Sequence, residues 1–494
     1  MASVDRTRED EIGLFTSVRP DERQVAWQAL EFYAFLHFGM NTMTDREWGL
    51  GHEDPALFDP AGLDVDQWMA AIASAGMTGV ILTAKHHDGF CLWPSDVSAH
   101  TVAASPWRAG AGDLVAEVAE SARRHGLRLG IYLSPWDRTE GTYGSGRAYD
   151  DFFVAQLTEL LTRYGPVFSV WFDGANGEGA NGRVQTYDWD RYYEAIRRLQ
   201  PDAVISVCGP DVRWCGNEAG HTRADEWSVV PSSLRDAERI SEQSQQVDDG
   251  EFSRLVRSND EDLGSRHALA GRLDDLIWYP AEVNTSIRPG WFHHPAEDHL
   301  VRSAEELFEI WCSSVGGNAT FLLNVPPTAH GLVAEPDARE LQQLGRLIAD
   351  FRARTIPTVL SPSSTLAGDD AAAPAPPSDF GPNAARTWRP DPSDAAPAIT
   401  VTLPQARSVE AIVVSEDIRF GQRVERATIH AAIAGRLVEV ATTCSVGYRR
   451  IVRFDPPITT DRLVVTLVES RGVPALAALA TIEARVEHPA APAR

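Results

Sequence analysis

Between Glu31 and Thr355, short runs of apolar residues alternate with helix-like segments, and this alternation restricts the fold more than any other feature of the chain. The first run is Glu31-Phe-Tyr-Ala-Phe-Leu-His37. A helix is expected over 63–75, where Val65, Trp68, Met69 and Ile72 recur at i, i+3, i+4 and i+7. The compact run 79–85 follows, then a helix over 113–125 that stops before Gly126, then a strand over 128–133. Residues 149–164 and 189–199 read as helices, and 167–173 and 203–208 as strands. Strand candidates at 226–230, 277–283 and 320–325 and a last helix over 337–352 complete the series. Strands that are apolar throughout and separated by helices specify a parallel sheet covered on both faces. About eight of them predict a (β/α)8-like barrel. An open doubly wound sheet would carry a Gly-rich phosphate loop after its first strand, and none is present here.

Composition shifts after Thr355. Residues 371–382, within a linker-like stretch of about 363–397, are rich in Ala and Pro. Short alternating strands then follow at 399–403, 411–415, 427–430 and 462–467, which predict a β-sandwich. The expected organisation is therefore a barrel domain over 1–355 and a β-sandwich over 356–494. Residues 231–272 are long, polar and poorly periodic, and read as an irregular insertion near the barrel mouth.

A net charge of -25 opposes binding to nucleic-acid phosphates or anionic membranes, so neither is expected as a partner; a neutral sugar is compatible with it. Cys91, Cys208, Cys215, Cys312 and Cys444 lie far apart without CxxC spacing, which argues against a disulfide framework or a zinc ribbon. The opening MASVDRTREDEIGLF lacks the apolar stretch of a secretory leader, and no run is long enough to predict a membrane span. A cytoplasmic location is the expectation.

In a barrel of this kind the reactive groups stand where strands end, at the C-terminal face. Those ends carry His37, then Lys85-His86-His87-Asp88, then Tyr132, Asp173, a cluster over 213–218, and Glu282 with Asn284. Alternation along 167–173 puts Ser169, Trp171 and Asp173 on one face and Phe168, Val170 and Phe172 on the other, so Asp173 is expected to point into the mouth. Glycoside hydrolysis with retention needs a second carboxylate, and Glu218, Glu226 and Glu282 are the candidates that spacing leaves open. Glu218 sits in Trp214-Cys-Gly-Asn-Glu-Ala-Gly220, beside a Trp that could desolvate it as a general acid requires. His37, His86, His87 and Asp88 could serve as ligands in a metallohydrolase, but no HxH or HExxH spacing accompanies them. Hydrogen bonding to sugar hydroxyls is the reading preferred for the histidines. Of 14 Trp residues, Trp48, Trp93, Trp136, Trp171, Trp214 and Trp291 fall near predicted strand ends, where their rings suit the C–H faces of sugars.

Several motifs, in order, resemble glycoside hydrolase family 29 α-L-fucosidases: His37-Phe-Gly-Met-Asn-Thr42 with Asp45-Arg-Glu-Trp-Gly49; Ala84-Lys-His-His-Asp-Gly-Phe90 with Leu92-Trp-Pro-Ser95; Val170-Trp-Phe-Asp-Gly174; Glu282-Val-Asn-Thr-Ser-Ile-Arg-Pro-Gly-Trp291; and Gly316-Gly-Asn-Ala-Thr-Phe-Leu-Leu-Asn-Val-Pro-Pro327. The resemblance implies a retaining enzyme with Asp173 as nucleophile. The string ending at Glu218 resembles that of the subfamily selective for α-1,3/1,4-linked fucose, which implies that Glu218 is the acid/base. It further implies that His37, His86 and His87 bind fucose hydroxyls with Glu47, Trp48 and Tyr132 as companions, and that Trp291 forms a wall. Trp171, Arg213, Trp214 and Glu282 complete the expected substrate-binding set; Arg213 and Arg288 could bind or buttress. The implied partner is a fucosylated oligosaccharide or fucoside, with no metal and no organic cofactor. Phe420-Gly-Gln-Arg-Val424 and Ser445-Val-Gly-Tyr-Arg-Arg-Ile451 resemble the discoidin-like β-sandwich that follows the barrel in this family. A metal-dependent barrel hydrolase and a non-catalytic fucose-glycan-binding protein are the rival readings.

Overall fold

The structure, a computed structural model, describes residues 7–236, 262–367 and 386–485. Its first part is a parallel near-barrel. The strands are β1 (Phe32–Leu36), β2 (Gly79–Lys85), β3 (Arg128–Leu133), β4 (Val167–Phe172), β5 (Val204–Val207) and β6 (Arg213–Trp214). After β7 (Val229–Pro231) and β8 (Leu276–Trp278) come β9 (Ala281–Ser286) and β10 (Ala319–Asn324). Eight of them pair side by side in the order β5-β4-β3-β2-β1-β10-β9-β6. A parallel bridge from Ser206 to Val212 links β5 to the approach of β6 and completes the circuit. Every residue of β1, β2, β4, β5, β9 and β10 is buried, as strands covered on both faces require.

The outer helices start where the sequence offers a side-chain oxygen to the free N–H groups of a first turn. Asp64 caps Val65–Ser74, Asp113 caps Leu114–Arg124 and Asp188 caps Trp189–Leu199. Val65, Trp68, Met69 and Ile72 face the core as their spacing predicts. Helix Ala304–Ser314, capped by Ser303, was not among the expected elements, although its capping serine precedes an amphipathic run. Among the described residues no helix is long and apolar enough to cross a membrane.

Two strand assignments are corrected. The run 226–230 is not a barrel strand: Val229–Pro231 pairs antiparallel with β8 outside the barrel. The sixth position belongs to Arg213–Trp214, too short to carry a periodic signal. The run 277–283 is two strands divided at Tyr279-Pro280. Pro280 has no N–H for a ladder, and its carbonyl accepts from the Arg213 N–H at 2.8 Å, where β6 joins β9.

The C-terminal part is an antiparallel sheet of β11 (Val359–Pro362), β12 (Ala398–Glu416), β13 (Val424–Ile433), β14 (Arg436–Thr443), β15 (Arg450–Ser470) and β16 (Leu476–Glu483). The expected strands 399–403 and 411–415 are two halves of β12, separated by register shifts against β15. Both halves feed one apolar cluster with Trp388, Val401, Leu403, Val414, Val465 and Leu479. Residues 371–382 lie outside the described residues, as do 237–261 of the expected insertion. The flanks of the linker-like stretch are packed, however: Trp388 is fully buried and its Nε1 donates to the Ser364 carbonyl at 2.9 Å. Sheet and barrel share a core, since Ala411, Val413, Ala480 and Ile482 join the apolar cluster of the barrel. Buried Arg449 pairs with Glu31, the residue before β1, at 2.7 Å.

Candidate active site

The C-terminal ends of the strands surround a cavity of about 370 Å³, counting its open mouth. Phe35, His37, Trp48, His86, His87, Trp171, Asp173, Ala175, Glu218 and Trp291 line it. Asp173 follows β4 directly. Its Oδ2 accepts from the Tyr132 hydroxyl at 2.9 Å and lies 3.7 Å from His87 Nε2, and its Oδ1 accepts from the Ala175 N–H at 2.9 Å. Oδ2 is therefore oriented by groups from the neighbouring strand ends, and Oδ1 by the turn that follows Asp173 itself.

The histidines are each held by one ring nitrogen. His37 Nδ1 meets Asn324 Oδ1 at 2.9 Å, His86 Nδ1 meets Asn41 Nδ2 at 3.1 Å, and His87 Nδ1 meets Ser134 Oγ at 2.7 Å. Burial pushes His37 down to about 3 and His87 down to about 4, the latter against the pull of Asp173, and pushes His86 well below its ordinary value. Neutral imidazoles fixed in this way offer hydrogen bonds to hydroxyl groups without placing net charge in the cavity. Trp48 packs edge-on to His87 and to Trp136.

Glu218 comes from the loop after β6. Its Oε2 accepts from Trp291 Nε1 at 2.9 Å, and the Trp291 ring lies 5.0 Å from His37. The cavity thus brings together Asp173, Glu218, His37, Trp48, His86, His87, Trp171 and Trp291.

The other expected substrate contacts stand behind it. Glu47 accepts from the backbone N–H groups of Trp291 and Phe292 at 2.8 and 3.0 Å and meets His294 Nε2 at 2.9 Å, so it holds the Trp291 segment instead of lining the cavity. A Cβ on Gly290 would strike that carboxylate, which is why glycine stands there. Tyr132 reaches the cavity through Asp173. Glu282 is not among the residues lining the cavity: it is the second residue of β9, below the rim, and accepts from Trp171 Nε1 at 2.8 Å and from the Tyr33 hydroxyl at 2.5 Å. Burial pushes it up to about 7. Arg213 is ion-paired with Glu226 in the wall, and Trp214 Nε1 donates to Asn284 Oδ1 and the Asn217 carbonyl. Arg288 is a buttress, fully buried and paired with Asp337 at 2.9 Å. Phe168 was expected on the outer face but packs against Tyr33, because the register of β3 against β4 shifts between Leu129 and Ile131. Phe172 does face outward, toward Phe153 and Tyr192.

Sequence reasoning missed Asn324, Ser134 and Asn41. Asn324 closes β10 and was open to the strand-end rule that found the others. Ser134 directly follows β3 and was open to the same rule, whereas Asn41, which acts through His86, carries no comparable signal.

A barrel whose rim gathers two carboxylates, uncharged imidazoles and indole walls around one small polar cavity has the equipment of a glycoside hydrolase. Comparison with known proteins fixes the kind. A family profile described as α-L-fucosidase matches residues 21–351. The chain is 36% identical over 472 residues to α-L-fucosidase 1 of Arabidopsis thaliana, covering 93% of this chain and 86% of that protein. In structure it is similar to a candidate α-L-fucosidase from Bacteroides ovatus, with a TM-score of 0.83 and 39% identity over 100% of this chain and 78% of the other. It is also similar to a Ruminococcus gnavus GH29 fucosidase in complex with fucose, with a TM-score of 0.78 and 26% identity over 95% of each chain. The chain belongs to the glycoside hydrolase family 29 α-L-fucosidases and is a glycoside hydrolase of that activity.

Proposed function

We propose that the enzyme removes terminal α-1,3- or α-1,4-linked L-fucose from oligosaccharides by double displacement. Asp173 attacks the anomeric carbon as the glycosidic C–O bond breaks, and Glu218 gives its proton to the departing oxygen. The resulting fucosyl ester on Asp173 is then cleaved by water, whose proton returns to Glu218, and fucose leaves with its configuration retained. The observation that carries this reading is that Asp173, after β4, and Glu218, after β6, line the same cavity. Tyr132 and Ala175 orient Asp173, while Trp291 orients Glu218. The histidines and Trp48 supply hydroxyl and ring contacts. The linkage preference is supported by the string Trp214-Cys-Gly-Asn-Glu218.

Two experiments test it. With azide as an external nucleophile, Asp173→Gly should yield β-fucosyl azide and Glu218→Ala the α-anomer; any other pairing of variant and anomer removes these roles. Wild-type enzyme should release fucose from Lewis-type trisaccharides in preference to 2-linked fucosyllactose, and the opposite preference overturns the linkage.

A metal-assisted reading draws on one observation: His86, His87 and Asp173 each place a donor atom within 4.8 Å of the others. The Nδ1 contacts of both histidines and the Tyr132 hydroxyl on Asp173 fit a hydroxyl-binding surface equally well. Chelator treatment separates the two: activity is expected to persist, and its loss with recovery on adding a divalent cation would favour the metal.

A further inference from the structure

The loop that carries Glu218 is anchored from outside the barrel. β6 is too short to position it by a ladder, and the loop turns through Gly216 (φ +100°) and Gly220 (φ +79°), where side chains are strained. Within the loop, Asn217 Oδ1 accepts from the N–H groups of Ala219 and His221 at 3.1 and 3.0 Å. Its entry is fixed by Arg223, whose Nη1 donates to the Cys215 carbonyl at 2.8 Å. Arg223 in turn lies 3.2 Å from Glu226, which is also paired with Arg213; all three side chains are buried. Burial alone would raise Glu226, yet the two guanidinium groups hold it below the usual carboxylate range.

The C-terminal sheet and the turn leading into β13 grip the backbone on either side of Glu226. Gln422 Nε2 donates to the Glu226 carbonyl at 3.2 Å, and its Oε1 accepts from the Ser228 N–H at 2.8 Å. Arg450, the first residue of β15, donates to the Ala224 carbonyl at 2.8 Å. From the barrel, Asn318 Nδ2 donates to the Glu226 carbonyl at 2.9 Å, while its Oδ1 accepts from the Tyr448 N–H at 2.7 Å. Contacts therefore run unbroken from the sheet, through residues 224–228 and Arg223, to the peptide that begins the Glu218 loop.

We propose that Glu226 is a positioning residue for the acid/base, and that the C-terminal sheet, through Gln422 and Arg450, sets the efficiency of leaving-group protonation. This rests on the assignment of Glu218 as acid/base. A buried ion network can be neutral for stability and still fix one geometry among several, and small displacements of a proton donor are costly to rate.

The test uses leaving-group dependence in the full-length enzyme. Glu226→Gln, Gln422→Ala and Arg450→Ala are compared with wild type on a fucosyl disaccharide and on an aryl fucoside whose phenol departs without protonation. Glu226→Gln should lose about 10- to 100-fold in kcat/KM, which reports the step in which the leaving group departs, on the disaccharide and only about 3-fold on the aryl fucoside. The milder Gln422→Ala and Arg450→Ala should lose less on the disaccharide with the same bias. Equal losses on both substrates, or no loss, overturn the proposal. Glu218→Ala is measured alongside. If it shows the bias and the three variants do not, the positioning role alone fails; if it lacks the bias, the acid/base assignment falls and the proposal with it.

Discussion

The two sides of the cavity are built differently. On the Asp173 side, β1 to β4 are continuous strands, buried except for Arg128 at the start of β3, and His37, His86, Tyr132 and Asp173 each stand at or beside a strand end. Parallel ladders set their spacing, and neighbouring rim side chains set their orientation. On the Glu218 side the strand is reduced to Arg213–Trp214, and the carboxylate rides on a glycine-bounded loop held by buried arginines and a distant sheet. The first arrangement derives precision from backbone repeats. The second derives it from side chains, so single substitutions remote from the substrate should be felt there.

The sharpest contrast lies between the carboxylates. Asp173→Gly should lower kcat by about 10⁴-fold or more on every fucoside, because no substrate can dispense with the nucleophile. Glu218→Ala should lose about 10²- to 10⁴-fold in kcat/KM on disaccharides but only a fraction of that on an activated aryl fucoside, whose phenol departs without its proton. Initial rates on both substrates check this, and a leaving-group-dependent loss in Asp173→Gly would reverse the comparison. Tyr132→Phe, which removes one donor to Asp173 while keeping the ring that stacks on Trp171, should cost about 10- to 100-fold in kcat with an unchanged melting temperature. A loss of fold instead would show that the Asp173 side is not fixed by its strands.

This difference also governs how much could be read from the sequence. Where a strand is long and apolar throughout, its last polar residue is conspicuous, and His37, His86, His87 and Asp173 emerge from that rule alone. The carboxylates Glu218, Glu226 and Glu282 could not be ranked by spacing, because what separates them is depth and partner. Glu282 sits low on β9 beneath Trp171, Glu226 is neutralised by two arginines, and Glu218 reaches the cavity from a loop without periodicity. The β6 strand was invisible because so short a segment has no period. The run 226–230 competed for its place because apolar β-branched residues pair equally well outside a barrel. The bracing contacts of Glu47 with Trp291 and of Arg288 with Asp337 span long sequence separations.

Glu282 joins the two sides, since it extends from β9 and accepts from Trp171 on β4 and Tyr33 on β1. Burial raises it from 4.5 to about 7. A raised group stabilises the fold fully below its unfolded value, and that contribution is lost as pH rises through the folded value. Glutamine keeps the shape and cannot titrate. The stability of wild type relative to Glu282→Gln should therefore fall between about pH 4.5 and 7, by up to about 3 kcal/mol, and stay level above. Denaturant unfolding at several pH values measures this, and a gap that does not vary with pH would mean that the carboxyl titrates in the barrel as it does in the unfolded chain.

The smallest effect concerns the Trp291 segment, which borders both carboxylates' cavity. His294 is raised to about 9, chiefly by its hydrogen bond to Glu47, against partial burial and with help from Asp45. Its charge steadies the carboxylate that holds the Trp291 and Phe292 N–H groups. The resulting stabilisation is complete below about pH 6.5 and is lost as pH climbs through about 9, on the order of 1–2 kcal/mol. His294→Asn should therefore be less stable than wild type near pH 6 and indistinguishable from it near pH 10. A matching rise in wild-type KM across that window would place the effect at Trp291, whereas a KM flat across the window in both proteins would show that the strands behind the cavity hold the indole without this tether.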